Sequence, residues 1–235
     1  MLILHELNCF SDKIMKHTEK ELQALKEEVS QMWRLVLSQL EKAKQSFLNG
    51  DVELAREIAS REKRVDAFEL KIDSDCENYI ALFAPVAIDL RLVLSLIKIS
   101  ITLERIGDFA EGVARHVIEE ECNRLDPALI EELQVEKMFD TLISMLSDSF
   151  VALESENTRI SGKIMAKDNE VDMLYHQAID IFTNYMQQNP DRIRCGLKTI
   201  LVIRKLERIG DHCGNIVEEI VFYIDAKVLK HGGKQ

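Results

Sequence analysis

Four pairs of carboxylates in this chain stand four residues apart: Glu62 and Asp66, Glu104 and Asp108, Asp168 and Asp172, Glu207 and Asp211. That spacing brings two side chains to one face of an α-helix. Pro85 lies midway between the first two pairs (85−62 = 108−85 = 23; 85−66 = 104−85 = 19). If Pro85 turns an antiparallel helical pair, Glu62 faces Asp108 and Asp66 faces Glu104. Pro190 divides the other two pairs almost as evenly (190−168 = 22, 211−190 = 21). Like charges about 4 to 6 Å apart repel by a few kcal/mol at an effective dielectric near 20. Such a quartet splays into water, holds protons or is held by a cation. Carboxylate oxygens are hard ligands that suit Mg²⁺, Ca²⁺, Mn²⁺ or iron. Asn215 and Glu218 follow Asp211 by four and seven residues and extend the oxygen-bearing stripe.

A single pair of this kind is weak, because an acidic helical chain yields several by accident. Glu69/Asp73 and Glu136/Asp140 read as such accidents, solvated rather than functional. The weight comes from duplication. Leu103-Glu104-Arg105-Ile106-Gly107-Asp108 recurs unchanged at residues 206–211, an offset of 103 that Arg91 and Arg194 share. Further upstream the offset is 106, pairing Leu40 with Leu146, Val65 with Val171 and Asp66 with Asp172. The three-residue difference falls around the proline turns, where length changes are best tolerated. The counterparts of Asn215 and Glu218 are Gly112 and Arg115, so the two sites are expected to differ. Near the stripes, His116 and His212 read as surface or capping residues. Gly107, Gly210 and Gly214 read as points of close helix contact or as room for an ion beside the backbone. Arg105 and Arg208 could hold the carboxylates or form plain surface ion pairs.

The elements that must position these groups are long helices. Leu22, Leu25, Val29, Met32, Val36 and Leu40 recur at steps of three and four, the mark of one buried helical face. Asn49-Gly50-Asp51 supplies a left-handed stop and the next N-cap. A second helix is expected to about Phe83, a third from about Leu90 to Glu120, and a fourth from the Asp126-Pro127 cap through Glu154. A fifth should reach Gln188, and a sixth should run from the Asn189-Pro190 cap to about Lys230. No segment alternates as a half-buried strand does. The expected fold is all-α, two tandem three-helix bundles over residues 11–121 and 126–230.

Composition narrows the function. The chain has 41 acidic and 30 basic residues, a formal net charge of −11, which opposes binding to nucleic acid or anionic lipid. The first residues form no signal peptide. The longest apolar region, Leu92 to Leu103, contains Lys98 and is too short to span a bilayer. A cytoplasmic protein without membrane insertion is expected. Five cysteines, Cys9, Cys76, Cys122, Cys195 and Cys213, are widely spaced with no Cys-x-x-Cys pair, which predicts reduced packing residues.

At the duplicated motif, the paired [Glu/Asp]-x-x-x-Asp residues and Leu48-Asn49-Gly50-Asp51 with Leu54-Ala55, the chain resembles the PhoU family of phosphate-signalling proteins. The resemblance spans about Lys13 to Lys227. It implies two three-helix bundles whose motifs bind metal clusters, iron among them, a role that would fall on the eight carboxylates of the four pairs. It also implies a cytoplasmic, dimeric negative regulator that contacts the ATPase of the phosphate ABC transporter and the sensor kinase of the phosphate regulon. Gly112, where the second repeat has Asn215, departs from the family pattern. Two other classes stand beside this one: a ferritin-like di-metal enzyme and a metal-free helical scaffold. The first uses Glu-x-x-His motifs, and no histidine here has Glu three residues before it. No Gly-rich phosphate loop or nucleophile–base constellation marks a kinase, ATPase or hydrolase.

Overall fold

The computed structural model describes residues 2–119 and 127–228, with side chains from Lys16 onward. Seven helices follow in order: α1 (Leu2–Asn49), α2 (Val52–Phe83), α3 (Ala87–Ile118), α4 (Pro127–Glu132), α5 (Val135–Glu154), α6 (Ser161–Gln188) and α7 (Ile193–Asp225). No strand occurs among the described residues. Helices α1, α2 and α3 pack into one three-helix bundle and α5, α6 and α7 into a second.

Local chemistry sets the turns. Gly50 has φ 61°, and Asp51 accepts from the Leu54 N–H at 3.0 Å, so one helix stops and the next starts within two residues. Ala84 ends α2 in the left-handed region and donates its N–H to the Ile80 carbonyl at 3.0 Å. Pro85 and Val86 then carry the chain into α3.

Several boundaries correct the sequence reading. The expected fourth helix is broken: Gln134 has φ 51° and separates the short α4 from α5. Pro190 opens a 3₁₀ turn, Pro190–Arg192, so the last helix begins at Ile193. It ends at Asp225, capped by Ala226 in the left-handed region, well short of Lys230. The third helix ends at Ile118. The Asp126 cap, Glu120, Lys230, Cys9 and Cys122 lie outside the described residues or side chains. Among the described cysteines, Cys76 and Cys213 are free and buried, whereas Cys195 is disulfide-bonded, against the expectation of five reduced thiols.

The bundles share one continuous core. Trp33 of α1 is fully buried, packs at 5.5 Å against the Phe150 ring and donates its indole N–H to the Leu146 carbonyl at 3.1 Å. On the other seam, α3 runs antiparallel to α7. Arg91 donates to the Tyr223 carbonyl and Ser95 to the Glu219 carbonyl, each at 3.2 Å. The carboxylate-bearing stretches of α2, α3, α6 and α7 are therefore held by helices packed along their length.

Candidate metal centre

The structure brings three carboxylates together in each repeat. Asp66, Glu104 and Asp108 each offer an oxygen within 4.8 Å of the others, and so do Asp168, Asp172 and Asp211. All six are half-buried. The triads are not the same three positions. By the offsets of the repeat, Asp66 and Asp108 correspond to Asp172 and Asp211, while the third member comes from α3 in the first site and from α6 in the second.

The residues left out have visible reasons in the first repeat. Glu62 lies 4.0 Å from the Arg115 guanidinium, which also pairs with the buried Glu111. An arginine thus draws the fourth carboxylate away. In the second repeat Glu207 and Glu218 are half-buried on α7 outside the triad. Asn215 lies one turn beyond Asp211. Its repeat counterpart Gly112 faces Lys205 of α7, where an added Cβ would meet the ammonium at 2.7 Å.

Electrostatics in the first site show what a cation would relieve. The Glu104 carboxyl is pushed above its ordinary value, chiefly by burial and then by the Asp108 charge, with Arg105 opposing. Arg105 reaches Glu104 at 3.4 Å and Asp108 at 3.8 Å. Arg208, its twin, forms no ion pair among the described residues. The histidines are not surface or capping groups as expected. His116 packs on Phe47 and His212 stacks on Phe109 at 5.6 Å, and burial lowers the pKa of both.

The second site differs from the first in one further respect. A Cβ on Gly210 would lie 2.7 Å from Asp168 Oδ1, so the glycine makes room for that carboxylate against the backbone of α7. Gly107, at the same place in the first repeat, instead faces Val65 and the amide of Gln39. An all-oxygen, carboxylate-rich set with a backbone cleared beside it fits a hard cation such as Mg²⁺, Mn²⁺, Ca²⁺ or iron. Spacing and duplication mark Asp168 in the sequence, and Gly210, a helix-interior glycine that costs about 1 kcal/mol relative to alanine, has the room-for-a-ligand role that is one of its two readings. Elsewhere, a cavity of about 770 Å³ between the end of α1, α4, α5 and α6 has among its lining residues Lys137, paired with Glu170, and Lys167, paired with Asp148.

A duplicated all-α bundle carrying one carboxylate triad per repeat is the class that fold and site define. The PhoU domain model matches residues 29–117 and 135–220. The chain is 33% identical over 212 residues to the phosphate-specific transport system accessory protein PhoU homolog of Aquifex aeolicus, covering 90% of this chain and 95% of that protein. It is 32% identical to the accessory protein PhoU of Escherichia coli, covering 91% and 87%. The crystal structure of PhoU from Pseudomonas aeruginosa superposes with a TM-score of 0.82 at 29% identity, over 89% of this chain and 99% of that one. The phosphate transport system regulatory protein PhoU from Streptococcus pneumoniae gives 0.80 at 27%, over 91% and 99%. The chain belongs to the PhoU family.

Proposed function

We propose that this protein is a negative regulator of phosphate uptake and of the phosphate regulon. It acts in the cytoplasm, as a homodimer, through contacts with the ATPase of a phosphate ABC transporter and with a phosphate sensor kinase. The observation that carries the reading is family membership across nearly the whole chain: the relatives are named as accessory proteins of phosphate-specific transport. No helix among the described residues is long and apolar enough to cross a membrane, which fits a protein that meets its transporter by docking.

Each triad holds a hard cation in this reading, Asp66, Glu104 and Asp108 in the first repeat and Asp168, Asp172 and Asp211 in the second. The remaining sequence candidates, Glu62, Glu207, Asn215 and Glu218, flank them. A bound ion supplies the positive charge that lets three carboxylates share one surface. The role is recognition rather than catalysis. Burial raises the Cys76 thiol to about 12 and moves Cys213 in the same direction, so neither supplies a thiolate nucleophile.

The test is deletion of the gene with phosphatase expression measured at high phosphate. Deletion is expected to release expression and the wild-type gene to restore repression, while Asp168→Asn/Asp211→Asn restores it poorly. An unchanged reporter on deletion would overturn the phosphate reading. Full rescue by the double variant, with no metal in the purified protein, would favour a metal-free scaffold.

A further inference from the structure

The chain is acidic overall, yet one face of α7 is basic and greasy. Arg204, Lys205 and Arg208 stand with Leu201 and Phe109 of α3 around a shallow cavity of about 390 Å³. None of these three cations enters an ion pair among the described residues. Arg105, the counterpart of Arg208 in the first repeat, pairs by contrast with Glu104 and Asp108. Lys205 instead lies along α3, 5.9 Å from the Phe109 ring and in the space that Gly112 leaves. Toward the start of α7 the cavity continues as an apolar ridge at four-residue steps: Ile193, Leu197 and Leu201 are 43%, 53% and 56% exposed.

The duplication does not require this face. The counterparts of Leu201, Arg204 and Lys205 at the 103 offset are Lys98, Ile101 and Thr102. Lys98 is ion-paired with Glu219 at 3.0 Å and lies over the Phe222 ring. Among the described residues, this combination of open ridge and unpaired cations lies in the second repeat.

We propose that this face docks an acidic amphipathic helix of a partner protein, its leucine-type side chains on Leu197, Leu201 and Phe109 and its carboxylates on Arg204, Lys205 and Arg208. A ridge at i, i+4, i+8 accepts the apolar stripe of a helix, and unpaired cations beside it select against basic partners. A second copy docking by two-fold symmetry would set these cations against their own copies. An anionic bilayer is wide enough to meet the flanking acidic triads and the net charge of −11 as well. A single acidic helix meets only the basic strip. The proposal concerns the chemistry of the partner and is read without any phosphate response, so it stands or falls apart from the regulatory reading.

The probe is a fluorescein-labelled 18-residue helical peptide with leucines at four-residue spacing and glutamates on both flanks, paired with a control in which every glutamate is lysine. Anisotropy with the full chain is expected to show at least about tenfold tighter binding of the acidic peptide, weakening with salt. Leu201→Ser should cost about tenfold, and Arg204→Glu/Arg208→Glu should reverse the preference in favour of the lysine peptide. These side chains are exposed, and circular dichroism checks that the fold is kept. Equal binding of both peptides, or a charge reversal without effect, overturns the proposal. So does self-association in sedimentation that the reversal abolishes, which would assign the face to a second copy. Co-sedimentation with phosphatidylglycerol vesicles that the reversal abolishes overturns it in favour of lipid, and displacement of the peptide by micromolar ATP in favour of a small polyanion.

Discussion

Gly210 and Gly107 hold equivalent places in the two copies of one hexapeptide, yet their surroundings demand different things. At Gly210 a methyl group would meet Asp168 Oδ1 at 2.7 Å, the far end of a side chain that can swing away. At Gly107 it would meet Val65 at 3.3 Å and the Gln39 amide at 3.4 Å first. Alanine also gains about 1 kcal/mol of helix propensity over glycine. Gly210→Ala is therefore expected to leave stability within about 1 kcal/mol of wild type while weakening metal binding by the second triad about tenfold or more. Gly107→Ala should leave the first triad's affinity unchanged. Titration calorimetry with Mn²⁺ beside thermal melts checks the contrast, and equal losses in both variants would contradict it. The eight carboxylates were legible in the sequence because spacing and duplication mark them. Which three converge was not, since an arginine beside Glu62 and the azimuth of α6 are tertiary facts.

The long helices were legible from apolar periodicity, and Gly50 with Asp51 announced their own turn. The break at Gln134 carried no such mark: neither glycine nor proline stands there, and packing of α5 into the core holds a non-glycine residue at φ 51°. Ser155 to Thr158 at the α5–α6 turn are polar residues that mark a break, but nothing in them marks its use as a tie. Glu156 in that turn accepts from Lys26 of α1 at 2.7 Å and from the Tyr223 hydroxyl of α7 at 2.8 Å, joining three elements. The Lys26 bond first and the Tyr223 bond second hold the Glu156 carboxyl below its ordinary value of 4.5. A depressed folded pKa stabilises the protein above the unfolded pKa, and the contribution is lost as pH falls through the folded value. The group is exposed, so solvent screening keeps the effect small. Glu156→Gln should cost about 0.5 kcal/mol at neutral pH, with the gap from wild type closing as pH drops from the unfolded value through the folded one. Urea melts at both ends of that range test this. A gap that stayed constant would mean that the substituted amide packs badly rather than that a charge was lost.

At the scale of the whole molecule, a duplicated sequence invites the picture of two bundles that fold independently, and the seams argue against it. Periodicity shows that a stripe is apolar without showing which helix covers it, so the contacts between repeats could not be read in advance. Trp33 belongs to the first repeat but is buried against Phe150 and bonded to the Leu146 carbonyl of the second. Along the other seam α3 and α7 exchange Arg91, Ser95 and Lys98 contacts with Tyr223 and Glu219. Separating the repeats would expose both seams at once, a cost that neither bundle recovers alone. Denaturant unfolding should accordingly be a single transition, with the fluorescence of Trp33, the chain's one tryptophan, tracking the loss of helical circular dichroism. Trp33→Phe removes the indole N–H and part of the packed volume and is expected to cost about 1–2 kcal/mol. Its unfolding, followed by dichroism alone, should stay a single step at lower denaturant. A tryptophan signal that changed before the dichroism would show that the seam opens while the bundles persist, and the two repeats would then be separate folding units.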